Sequence, residues 1–187
     1  MALKNKNLLV VSCGLAVQAA LLVALNAYIP KIAGMDAMWI SFQAWAVYFL
    51  AGCNPQGGLK VWLGYLSGIL ASIAIIELMG APGIRAMPSI GGMNLVMALA
   101  VLIVVVPAIM TENMKNMVPA LFIGSGAFFA LFTIMNSTPE VMKTLGDGNT
   151  AKYLFATRVE LVYCLVGQIF GWITVFWRSK YEASLAH

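Results

Sequence analysis

Two apolar runs joined by a tight break, Ser41–Ser72, constrain this chain more than any other feature. Each run is about long enough to cross a hydrocarbon core about 30 Å thick, so the stretch predicts a membrane hairpin rather than a soluble turn. The break itself is Cys53-Asn54-Pro55-Gln56-Gly57-Gly58, which packs a thiol, two amides, a proline and two glycines into consecutive positions. A plain hairpin needs only one or two turn-formers. Two readings of the break are therefore open: a tight turn, or a short loop that offers backbone groups to a solute. In the second, Asn54, Gln56, Gly57 and Gly58 line one mouth of a path, and Gln43 marks a deeper point on it.

Composition supports the membrane reading. The chain is 61% hydrophobic and 10% charged over 187 residues, whereas a soluble domain carries about 25% charged residues. At about 20–25 residues per span, this length makes room for about six helices and no separate soluble domain. The net charge of +4 comes from Lys and Arg scattered singly between apolar runs, with no basic stripe to track phosphates, so no nucleic-acid partner is expected. Cys13, Cys53 and Cys164 are far apart and lack a C-x-x-C, which suits buried thiols better than a disulfide or a metal. The only histidine is His187, which removes histidine-dependent catalysis and most zinc chemistry. The apolar run after Lys6 is too long for the core of a cleaved signal peptide.

The expected spans are about 8–29, 35–52, 59–79, 93–110, 118–135 and 153–177. Small residues four apart let membrane helices approach closely, and they recur as Gly64 with Gly68 in the third span and Gly167 with Gly171 in the sixth. Gly124 and Gly126, at the centre of the fifth span, are also expected to serve helix packing. The breaker-rich segment 80–92 predicts a connection, or backbone that re-enters the membrane where protein satisfies it. Asn136–Lys152 is the longest polar segment. Shared features of spans two and five, and of three and six, suggest two inverted three-helix repeats, an arrangement that puts solute sites where the repeats meet. An even number of spans puts both ends on one side. Six Lys and Arg fall there (Lys4, Lys6, Lys60, Lys115, Arg178, Lys180) against four opposite (Lys31, Arg85, Lys143, Lys152), so both termini are expected in the cytoplasm.

Few residues within the spans carry chemistry. Arg158 and Glu160 either snorkel to water at an interface or, for Glu160, line a vestibule. Gln18, Gln43 and Gln168 are buried amides that serve as packing glue between helices or as the lining of a path for a small neutral polar molecule. No nucleophile elbow, Walker loop or dinucleotide fingerprint occurs, and no cofactor, metal or catalytic residue is expected.

The aromatic second span ending in F-L-A-G-C-N-P-Q-G-G-L-K resembles the YcdZ-like family of small bacterial inner-membrane proteins. The resemblance covers most of the chain and is most specific around Ser41–Gly68. That family has no known function, so it implies a bacterial inner-membrane location and brings no catalytic residues. The resulting expectation is an all-α, polytopic, homo-oligomeric protein that passes a small polar solute through the lipid bilayer. A non-transporting subunit that packs against or anchors a partner is the alternative.

Overall fold

The structure is a computed structural model that describes residues 2–81, 95–110, 117–146 and 148–185. Every regular element among the described residues is a helix. In chain order they are α1 (Ala2–Leu25), α2 (Ile29–Ala33), α3 (Met38–Leu50), α4 (Pro55–Gly80), α5 (Leu95–Met110), α6 (Val118–Asn136), α7 (Pro139–Leu145) and α8 (Asn149–Leu185). Stretches of α1, α4, α6 and α8 are long and apolar enough to cross a membrane. The outward faces of α1, α4 and α8 carry Leu8, Leu59, Leu70 and Leu154, each more than half exposed, as expected for a surface solvated by lipid.

The expected second span is the 13-residue α3, about 20 Å at about 1.5 Å per residue and so short of a full crossing by itself. Asp36 fixes its start: Oδ1 accepts the Met38 amide at 3.1 Å and the Asn26 side-chain amide at 3.0 Å. The first span closes at Leu25, where a turn over 26–28 leads into α2. Segment 136–152 is not one loop, since it contains α7 and the first turn of α8. Most of segment 80–92, expected as a loop or re-entrant backbone, lies outside the described residues.

The third span begins at Pro55, not near Leu59, because the break is a helix start. Asn54 Oδ1 accepts the Gly57 amide at 2.8 Å and Asn54 O accepts the Gly58 amide at 2.9 Å. Pro55 stands at the first helical position, where its missing donor costs nothing. Gly52 (φ 95) and Cys53 (φ 58) turn the chain through left-handed backbone just before the cap, a conformation that strains a residue with a side chain. Gly57 tucks under the end of α3: a Cβ there would run into the carbonyl of Ala51.

Two close helix pairs hold the core. The α4–α6 pair meets where a Cβ on Gly68 would lie 2.5 Å from Ser125 N and would also overlap Leu121 O. On the other side, a Cβ on Gly124 would come within 2.7 Å of Tyr65 Cα. In the α3–α8 pair, a Cβ on Gly167 would overlap Ser41 O and lie 3.0 Å from Trp45 N, and one on Gly171 would sit 2.6 Å from Tyr48 Cγ. Such backbone contact is open only to glycine and is how helices pack where lipid supplies no hydrophobic drive. Gly64 belongs to the first pair, 2.5 Å from Ala120 Cβ by the same measure, but Gly126 points outward with open space around it. Smaller contacts join α4 to α5, α1 to α8, α3 to α4, α6 to α8, α4 to α8 and α3 to α6. The Tyr181 hydroxyl donates to Asn7 Oδ1 at 3.1 Å, so the start of α1 and the end of α8 lie at one end of the bundle.

Candidate functional site

Helix α8 buries one stripe along its length. Ala156, Glu160, Tyr163, Cys164, Gly167, Gln168, Gly171 and Thr174 recur at three- and four-residue intervals on its inner face. The polar members of this stripe meet side chains from α1, α3 and α4, and together they form a polar seam inside an otherwise apolar bundle.

The seam is fully bonded at Thr174. Thr174 Oγ1 accepts the Trp45 indole N–H at 3.0 Å, and its own hydrogen faces Gln18 Oε1 at 2.6 Å and Phe170 O at 2.8 Å. One hydroxyl thus ties α1, α3 and α8 together. Gln168 is half bonded: Nε2 donates to Ala44 O at 2.8 Å, while Oε1 has no partner. Tyr48 and Gly58 surround it, since a Cβ on Gly58 would lie 3.1 Å from the Tyr48 ring and 3.4 Å from Gln168 Oε1. A groove of about 680 Å³ runs beside these residues between Trp62 and Trp172, and its walls are almost wholly apolar.

Deeper in, the bonding stops. Glu160 is 0% exposed, and neither of its carboxylate oxygens has a hydrogen-bond partner. Tyr65, also 0% exposed, reaches in from α4 with an unpartnered hydroxyl, and the Tyr48 hydroxyl, on the residue that packs beside Gln168, is unpartnered as well. Tyr65, Cys164 and Glu160 stand within electrostatic reach of one another. Each buried polar group left unbonded costs about 1–3 kcal/mol, so these atoms are where the bundle asks for something more. Further along, Ser41 Oγ donates to Tyr163 O at 2.8 Å, and the Tyr163 hydroxyl donates to Asn26 Oδ1 at 3.0 Å. Near the far end of the seam, the Tyr153 hydroxyl donates to Glu77 Oε1 at 2.7 Å.

Of the residues singled out in the sequence, Gln18, Gly58, Glu160 and Gln168 come together along the seam. Gln43 does not: it is exposed on the face of α3 turned away from α8. Asn54 and Gln56 are exposed at the break, with the Asn54 side chain spent on capping α4. Arg158 and Glu160 part company on their helix. Arg158 is exposed and bonds the Ile32 carbonyl, whereas Glu160 is enclosed and does not snorkel. Tyr48, Tyr65 and Thr174 join the site although the sequence did not mark them. For Tyr65 and Thr174 the signal was a polar atom within an apolar run, three residues from the packing glycines Gly68 and Gly171.

The family described as "Protein of unknown function (DUF1097)" matches residues 16–178. The chain belongs to this family. No curated protein and no solved structure matches it. The matched range takes in the whole seam from Gln18 to Thr174, with the break and both glycine contacts. Membership carries no activity with it, so any function must be argued from the seam.

Proposed function

We propose that this protein is a six-span membrane protein that passes a small polar, neutral solute along the α8 seam. The observation that carries the reading is the row of enclosed, unpartnered polar atoms on Glu160, Tyr65, Tyr48 and Gln168. Hydroxyl and amide groups bond a neutral polar molecule without demanding a counter-ion, and a permeating solute or its water would satisfy them in turn.

The packing supports two inverted three-helix repeats, α1–α3–α4 and α5–α6–α8, with α3 and α5 completing the six spans. Exchanging the halves turns the α4–α6 contact into the α8–α3 contact, α4–α5 into α8–α1, and α3–α4 into α6–α8. All of these pairs are in contact. The two glycine contacts match in detail: Gly68 opposes Leu121 O and Ser125 N, and Gly167 opposes Ser41 O and Trp45 N, a carbonyl and the amide four residues on. In that register Tyr65 corresponds to Cys164, which puts Glu160 beside the pseudo-symmetry axis, where transporters of this build hold their solutes. The meeting of Asn7 with Tyr181 favours an even number of crossings. The Lys and Arg distribution supports cytoplasmic termini, and the resemblance around the break to the YcdZ-like proteins supports a bacterial inner membrane.

The alternative, a non-transporting subunit that anchors a partner, draws on Gly126. Its open surroundings on the outer face of α6 leave room for a second helix, from another copy or another protein. A homo-oligomer joined there is compatible with passage through each copy. Stopped-flow swelling of proteoliposomes against glycerol, urea, acetamide and erythritol separates the two readings. Swelling by at least one solute above protein-free vesicles is expected, and rates equal to protein-free vesicles for all four would leave only the anchoring role.

A further inference from the structure

We infer that Glu160 is a proton-binding site inside the bundle, and that it exchanges its proton with water along the seam. The carboxyl is fully enclosed and both oxygens lack hydrogen-bond partners. Among the described residues the only ion pair is Arg178 with Glu182, far along α8. Arg158, two residues from Glu160, points to a different side of the helix and is bonded to Ile32 O.

No neighbouring helix offers a countercharge. Tyr65 is the titratable side chain that α4 turns toward Glu160; on its own helix Tyr163 and Cys164 follow within about one turn, and the buried Lys152 stands two turns back without forming an ion pair with it. Tyr48 is the only titratable side chain of α3, while α5 and α6 contain none. At the α1–α2 end, Lys31 lies over the Tyr28 ring and Asp36 is occupied by Asn26 and Met38. A bare carboxylate in such surroundings is not sustained; a positive species must join it.

The donor set decides which species. Calcium takes six to eight oxygen ligands and magnesium an octahedron, and the described residues hold no cluster of metal-ligating side chains. Glu160 offers two oxygens with one tyrosine hydroxyl nearby. A proton needs one oxygen only. Taking it from water converts the carboxylate to the neutral acid, which needs no countercharge. Releasing it to water restores the carboxylate.

The test uses the full chain in phosphatidylethanolamine–phosphatidylglycerol vesicles. Dicyclohexylcarbodiimide, which attacks protonated carboxyls in apolar surroundings, should form one adduct on the Glu160 peptide, read by mass, and the adduct should be lost in Glu160→Gln. Infrared spectra should contain a carboxylic-acid carbonyl band that is absent from Glu160→Gln, shifts in deuterated water and weakens together with labelling as the pH is raised. Glu160→Asp, which keeps the acid, should retain a band at a moved frequency. An adduct only on other carboxyls, no acid band at any pH, or a band indifferent to both pH and deuterated water would overturn the inference. Neither readout needs a transported solute, so the proton site and the passage of solute stand or fall separately.

Discussion

Replacing Gly68 with alanine is the sharpest test of how the helices pack. The added methyl would sit 2.5 Å from Ser125 N and 3.0 Å from Gly124 C, and it would overlap Leu121 O. All three are backbone atoms of α6, so no side chain can swing aside. Relief requires α4 and α6 to separate by roughly 1 Å, and overpacking of this kind costs about 1–3 kcal/mol. The separation also stretches the Ser72–Ser125 hydroxyl bond, now 2.7 Å and one turn away, worth about 1 kcal/mol. The control is Gly126→Ala, on the same contact's helix but with nothing within 4 Å. It should be neutral or gain up to about 1 kcal/mol from helix propensity. Thermal unfolding in detergent, followed by tryptophan fluorescence, should rank Gly68→Ala well below wild type and Gly126→Ala at or above it. Equal melting of Gly68→Ala and wild type would refute the close α4–α6 contact.

Three further outcomes are expected. Asn54→Ala removes the side-chain cap of α4 and should cost about 0.5–2 kcal/mol in the same melt, while Gln56→Ala, exposed and unbonded among the described residues, should cost almost nothing. Thr174→Val keeps the shape but strips the hydroxyl that joins Trp45 to Gln18; with two buried groups left unpaired it should lose about 1–3 kcal/mol for each and shift the Trp45 emission. Reporter fusions to the two ends of the chain should both read cytoplasmic, and opposite readings would rule out an even number of spans.

What was legible in the sequence follows from which forces are local. Apolar runs set the helices, because backbone groups in hydrocarbon must be bonded within the segment. Glycine spacing alone could not say which contact is tightest: Gly68 meets the backbone of α6 at Leu121 and Ser125, whereas Gly64 meets the Ala120 side chain. Neither reading of the break, tight turn or loop, includes a helix start, because its breakers are also start signals. Asparagine followed by proline is a cap and a first helical residue. Gln43 and Gln168 looked alike as amides within apolar runs. Only Gln168 shares a face with the glycines at 167 and 171, and Gln43 lies off the Ser41–Ala44–Tyr48 face that α8 covers. The enclosure of Glu160 was out of reach, since it depends on α4 delivering Tyr65 across the bundle and not on anything near residue 160.

The seam as a route through the bundle is tested most directly at Cys164, a native thiol one turn from Glu160 and fully buried. With Cys13 and Cys53 replaced by serine, it is the single thiol in the chain. A small water-borne methanethiosulfonate reagent should reach it slowly in proteoliposomes as the path opens. Its attachment should abolish swelling by whichever of glycerol, urea, acetamide or erythritol passes, and a reducing agent should restore it. Full modification of Cys164 with swelling unchanged, or swelling with Cys164 never modified, would contradict a path along α8.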